Sequence, residues 1–119
     1  MITATRHVST SSRKLLTEAL RHQEGVTLAN VLQMIDRGSC AFLEASNSVF
    51  TVEYNDRCIH VSQMAGRMDD VPEIIECLKA LAIDMNKEYV SLRGRAGWTR
   101  VLKPYGFKLN NEVLECRLA

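Results

Sequence analysis

What this 119-residue chain lacks narrows its class first. No apolar run approaches the ~20 residues needed to span a bilayer. Met1–Ser12 has no apolar core of the kind that directs secretion. The expectation is a soluble intracellular protein with no membrane partner. A CxxC pair is also missing. Cys40, Cys58, Cys77 and Cys116 stand far apart among apolar neighbours and read as buried reduced thiols acting as small hydrophobes. A zinc site needs clustered ligands, and His7, His22 and His60 supply no such spacing, so no metal is expected. Excess charge of one sign is absent as well. Fifteen Lys and Arg against fourteen Asp and Glu leave a net +1, which predicts no global pull toward nucleic acid or membrane. There is no internal repeat, linker or low-complexity tract, so residues 1–119 are expected to form one domain.

What is present reads as alternating helix and strand. Ser11 or Ser12 is expected to cap a helix over Arg13–His22 with Leu15, Leu16, Ala19 and Leu20 on one face, ended by Glu24-Gly25. Thr27 caps a second helix carrying Leu28, Val31, Leu32 and Ile35, and Gly38 closes it. From Ser39 the apolar period drops to two. Strands at Ser39–Ala45, Val49–Tyr54 and Cys58–Met64, joined by short turns, make an antiparallel meander. In the third strand Cys58, His60, Ser62 and Met64 are expected to share a face. Asp70 is then read as the cap of the longest helix, Val71–Met85, with Pro72 in its first turn and Glu73 completing a capping box. That helix has the length of a crossover, so Cys58–Met64 and Tyr89–Arg93 are expected to be parallel neighbours. Trp98, Val101, Leu102 and Tyr105 sit at i, i+3, i+4 and i+7 of a short helix stopped by Gly106. Phe107–Leu109 and Glu112–Leu118 form a hairpin across Asn110-Asn111. The fold class is α/β, a mixed sheet built from the meander and then the parallel crossover, with helices on both faces.

This order resembles the GNAT acetyltransferase superfamily over nearly the whole chain. The densest match is Gly94-Arg95-Ala96-Gly97-Trp98-Thr99-Arg100-Val101-Leu102-Lys103-Pro104-Tyr105-Gly106-Phe107. It is similar to a string in small GNAT-like proteins encoded among the virion genes of tailed bacteriophages. The GNAT resemblance implies an acetyl-CoA pyrophosphate held by backbone N–H groups of a Gln/Arg-x-x-Gly-x-Gly/Ala loop at the start of the central helix. Here the segment reads Gln63-Met64-Ala65-Gly66-Arg67-Met68, with Gln63, Gly66 and Arg67 as the matching positions and Met68 in place of the second glycine. Asp69, Asp70 and Glu73 follow. They are expected to take the helix's capping donors and to repel a pyrophosphate, at about 4 kcal/mol per close like-charge contact.

A proton-transfer group is harder to assign. Glu44 and Glu53 fall on the meander, and His60 lies on the strand leading to the loop. Tyr105 stands near where the resemblance places a tyrosine that protonates a leaving thiolate, although its helical phase favours core packing. Between Glu88 and Glu112 run five basic residues with no acid, Arg93, Arg95, Arg100, Lys103 and Lys108. They form a local patch for a phosphate, DNA or an acidic protein.

The first expectation from sequence is therefore a non-catalytic GNAT-like phage protein, in the virion or the host cytoplasm. It would need no cofactor and would act through contacts with other virion proteins or with itself. The alternative is an acetyl-CoA-dependent N-acetyltransferase. A third reading is a host-directed or DNA-binding accessory using the basic patch.

Overall fold

The computed structural model describes residues 1–21, 23–93 and 96–118. Gly94 and Arg95 of the aromatic-glycine string, and His22, lie outside them. The chain runs β1 (Thr3–Ala4), α1 (Thr10–Leu20), α2 (Leu28–Arg37), β2 (Ala41–Glu44), β3 (Ser48–Tyr54), β4 (Cys58–Gly66), α3 (Val71–Asp84), β5 (Tyr89–Arg93), α4 (Ala96–Leu102), β6 (Lys108–Asn110) and β7 (Val113–Arg117). The strands form one sheet in the order β1-β2-β3-β4-β5-β7-β6. Every neighbouring pair is antiparallel except β4 and β5, which run parallel across the α3 crossover.

Two apolar layers hold helices to the two faces. On one side Phe50, Ile59, Ile74, Leu78, Val90, Leu102 and Leu114 are fully buried between the sheet, α3 and α4. On the other, Leu16, Val31, Ile35, Phe42 and Val49 seat α1 and α2. Burying each such side chain contributes about 1.5–3 kcal/mol. The first pair of helices covers only part of its face, because α1 packs on β3 and β4. Around β4 and β5 that face carries the polar side chains Glu53, His60, Ser62 and Ser91 instead of an apolar stripe.

Local chemistry explains most boundaries. Thr27 caps α2 and shares a reciprocal box with Asn30, and Gly38 closes the helix in the left-handed conformation at φ 78°. Thr27→Ala should cost about 1 kcal/mol, seen as roughly 4 °C lost from Tm in a circular-dichroism melt. Gly106, at φ 91°, stops the short 3-10 turn that follows α4. The Asn110-Asn111 hairpin forms with Asn111 at φ 59°.

Three expectations are corrected. The cap of α1 is Ser9, whose side chain accepts from the Ser12 amide, and the helix ends at Leu20 before Glu24-Gly25 is reached. Ser12 is used elsewhere, donating from Oγ to Glu44 Oε2 at 2.6 Å. Asp70 makes no side-chain cap on α3. Its carboxylate turns back to the β2–β3 turn, accepting from Asn47 N at 2.9 Å and Ser48 Oγ at 2.6 Å, and Glu73 pairs with the N-terminal ammonium. Finally, Met64 does not share a face with His60. The β3–β4 register slips between Thr51 and Val52, pairing Thr51 with Gln63 and Val52 with Val61, so Ser62 is an extra residue in β4. The bulge returns Met64 to the α3 face with Ile59 and Val61.

Candidate functional site: a cleft where two parallel strands part

Strands β4 and β5 pair from Cys58↔Tyr89 to Val61↔Leu92 and then separate. Beyond that rung β4 continues along β3 to Gly66, leaving its other edge unpaired. A cleft of about 380 Å³ opens there, lined by Met64, Ala65, Gly66, Arg67 and Met68 from β4 and its loop. Glu18, Ala19 and Arg21 of the α1 end form one wall, and Val71, Ile74 and Trp98 form another. Its deep end, at the vertex where the strands part, is a smaller space of about 30 Å³ among Val61, Ser62, Leu92, Arg93, Gln23 and Trp98.

Each wall has a local cause. Trp98 is only half-buried, because α4 lays it across the mouth of the parted strands and not under the sheet. Gly66 stands at φ +140°, and a Cβ there would meet Ser48 Oγ at 2.2 Å, Ser48 Cα at 2.4 Å and Asn47 O at 2.5 Å. The glycine is therefore demanded by the close approach of β4 to the β2–β3 turn. Arg67 follows as the residue before the 3-10 turn Met68–Asp70 and gives that turn no side-chain cap. The first amides of such a turn have no partner within it. Asp70 is bonded to Asn47 and Ser48, Glu73 pairs with the N-terminal ammonium, and Asp69 is exposed and paired with Arg67 at 3.4 Å. Each of the three carboxylates expected to crowd the loop thus has a partner of its own. Arg21, Arg67 and Arg93 set three positive charges against Glu18 around the cleft.

On the α1 side of the vertex lie two hydrogen-bonded pairs of polar groups. His60 Nδ1 is 2.8 Å from Ser91 Oγ, and in the tautomer that donates to Ser91 through Nδ1 the Nε2 nitrogen is free to take up a proton. Glu53 stands opposite His60 in the β3–β4 ladder and accepts from Ser62 Oγ at 2.6 Å. Burial pushes the His60 pKa below its ordinary 6.5; Glu53 pulls it upward and Arg93 pushes it further down. His60 and Ser91 form the last rung but one before the strands part, and neither lines the two cavities.

The other sequence candidates are distributed differently. Gln63 is on the bulged rung, bonded to Thr51 and Gln23. Tyr105 is half-buried against the main core, does not line either cavity, and its carbonyl accepts from Lys79 Nζ at 2.8 Å. Glu44 is held by Ser12. Of the basic run, Arg93, Arg100, Lys103 and Lys108 are exposed, Arg93 at the vertex and the others on α4 and beyond, while Arg95 lies outside the described residues. Sequence reasoning missed Gln23, Ser91 and the role of Trp98 as a wall. Nothing in their local pattern marks them, since Gln23 and Ser91 become relevant only through partners 31 to 40 positions away.

The fold, with its bulged β4, parted parallel strands and crossover helix, is that of the GNAT acetyltransferases. Solved structures of the same shape place it there. Aminoglycoside 6'-acetyltransferase type Ii matches with a TM-score of 0.75 at 9% identity, over 100% of this chain and 97% of that one. An acetyltransferase from Bacillus subtilis in complex with CoA matches at 0.72 and 11% identity, over 99% of this chain and 98% of that one. An acetyltransferase of the GNAT family from Staphylococcus aureus matches at 0.65 and 12% identity, over 100% of both chains. At such identities the likeness carries the fold alone. Neither a family model nor a curated protein sequence matches the chain. Among the described residues no helix is long and apolar enough to cross a membrane.

Proposed function

We propose that this chain is an acyl-CoA-dependent N-acyltransferase, acting on an amine at the vertex between β4 and β5. The observation that carries this reading is the parted edge of β4, which runs from an uncapped helical turn at Arg67–Asp70 to the His60–Ser91 pair. The residues present fit the cofactor. A diphosphate would be held by the first amides of the Met68–Asp70 turn and by Arg67 and Arg21, where the α3 dipole favours an anion. The apolar wall of Met64, Val71, Ile74 and Trp98 would take the thioester arm. Bound there, acyl-CoA supplies an activated thioester carbonyl. The chain's own part would be proton transfer: with Nδ1 donating to Ser91 Oγ, His60 Nε2 would accept the proton of the attacking amine, which in the balance leaves with the CoA thiol, while Glu53 offsets the imidazolium that forms.

Isothermal titration with acetyl-CoA tests the reading, with micromolar binding expected. Arg67→Ala should weaken that binding about three- to tenfold at low ionic strength. Because Arg67 is exposed, the difference should shrink at high salt.

A second reading has one observation in its favour. Gly66 is fully accounted for by the β2–β3 turn, without any ligand. Together with the phage-type string through Trp98–Phe107, this supports a non-catalytic virion or virion-assembly protein that works by contact. Absence of acetyl-CoA binding in the titration, with the chain recovered from purified virions, would favour it.

A further inference from the structure

Gln23 lies between α1 and α2, yet it is clamped to the bulged rung of β4. Its Nε2 donates to the Ser62 carbonyl at 2.7 Å, and its Oε1 accepts from Gln63 Nε2 at 3.0 Å. Gln63 is itself held, its amide donating to Thr51 Oγ1 at 3.1 Å and its Oε1 accepting from the same hydroxyl. Thr51 is completely buried, so the whole clamp is anchored in the sheet. This arrangement puts a side-chain carboxamide, fixed at both ends, across the place where the cleft would otherwise continue past the vertex. The cavity beside it measures about 30 Å³.

The position of that stop has chemical meaning if the cleft holds an acyl-CoA. From the Gly66 end of β4, next to the phosphate-binding turn, back to Ser62 is four residues, about 13 Å of strand. A ligand anchored by its phosphates at Arg67 and laid along the β4 edge therefore presents its far end toward Ser62 and Gln23. The geometry points to Gln23 as the residue that sets acyl-chain length: the clamped carboxamide narrows the vertex, so the site favours an acetyl group over longer chains. The assignment rests on the acyl-CoA reading above. A mere loop anchor would make the same hydrogen bonds, but it would not discriminate among acyl groups.

The test is a titration series with CoA, acetyl-CoA, propionyl-CoA and butyryl-CoA against the intact chain, Gln23→Ala and Gln23→Leu. The wild-type chain is expected to bind butyryl-CoA at least tenfold more weakly than acetyl-CoA. Gln23→Ala should bring the two within about threefold by tightening butyryl-CoA, because it removes the stop. Gln23→Leu, which keeps the bulk and loses the hydrogen bonds, should retain the wild-type preference; Gln23→Ser gives the alanine readout if alanine disturbs the loop. Equal binding of all acyl lengths by the wild-type chain overturns the assignment and leaves the acyl-CoA reading standing. So does a Gln23→Ala chain whose acetyl-to-butyryl ratio is unchanged. Failure of every CoA species to bind overturns both.

Discussion

Gly66→Ala lowers Tm by about 8–24 °C, whether or not CoA is present. The added Cβ falls 2.2–2.5 Å from Ser48 and Asn47, and two of those three atoms are backbone that cannot rotate away. Holding a non-glycine residue at φ +140° adds backbone strain of about 1–3 kcal/mol. Forcing the turn apart adds about 1–3 kcal/mol more. At roughly 4 °C per kcal/mol for a chain of this size, the sum gives the stated range. The turn cannot move without breaking the bonds from Asn47 and Ser48 to the buried Asp70, which hold the start of α3. Gly97→Ala is the matching control. It lies in α4 with nothing within 4 Å of the added Cβ, and alanine there should be neutral or slightly stabilising. A calorimetric scan of both variants decides the matter. If Gly66→Ala melts like the parent and only loses affinity for CoA, the glycine serves the ligand and the packing account is wrong.

His60→Ala lowers the rate of CoA thiol release from acetyl-CoA in the presence of an accepted amine by about 10²–10⁴-fold, the usual worth of a positioned general base. The parent's kcat/KM should fall on the acid side along a limb centred below 6.5, since burial holds the imidazole neutral at a pH where a solvated histidine is already half protonated. That limb disappears in His60→Ala. Ser91→Ala should keep the limb but lower the rate, because Nδ1 loses the hydroxyl that orients the ring. Stability responds in the same range with a definite sign. The folded pKa lies below the unfolded value, so as pH falls under about 6.5 the unfolded chain takes up the proton first. Folding stability is lost from there down to the depressed folded pKa and is unaffected above it. Across pH 4.5–8, on the order of one titration's width either side of 6.5, the urea midpoint of the parent should therefore fall relative to that of His60→Ala as pH drops below about 6.5, and the difference should be constant at the alkaline end. An acid limb that survives in His60→Ala would mean that another group accepts the proton.

The sequence by itself determined the secondary structure, the parallel crossover and the sheet with helices on both faces. The reason is that these features rest on local signals: apolar periods of 3.6 and 2, the Thr27 cap, the stops at Gly38 and Gly106, and the Asn110-Asn111 turn. The α3 stripe through Ile74, Ile75, Leu78 and Ala82 was legible because burying it needs no knowledge of which strand it meets. The acids before α3 show where that legibility ended. A carboxylate just before a helix looks like a cap on paper. Only the fold shows Asp70 bonded to a turn more than twenty residues earlier, which frees the helical turn that the sequence had closed.

The site was decided by tertiary structure for the same reason. The one-residue bulge at Ser62 cannot be read from an alternating strand, because it depends on how β3 pairs with it. That bulge turns Met64 inward and offers the Ser62 carbonyl to Gln23. The parting of β4 from β5 after Val61 and Leu92 then brings Gln23 and Trp98 to one vertex, with the His60–Ser91 rung just before it. Residues that meet only through long-range pairing leave no local mark in the chain.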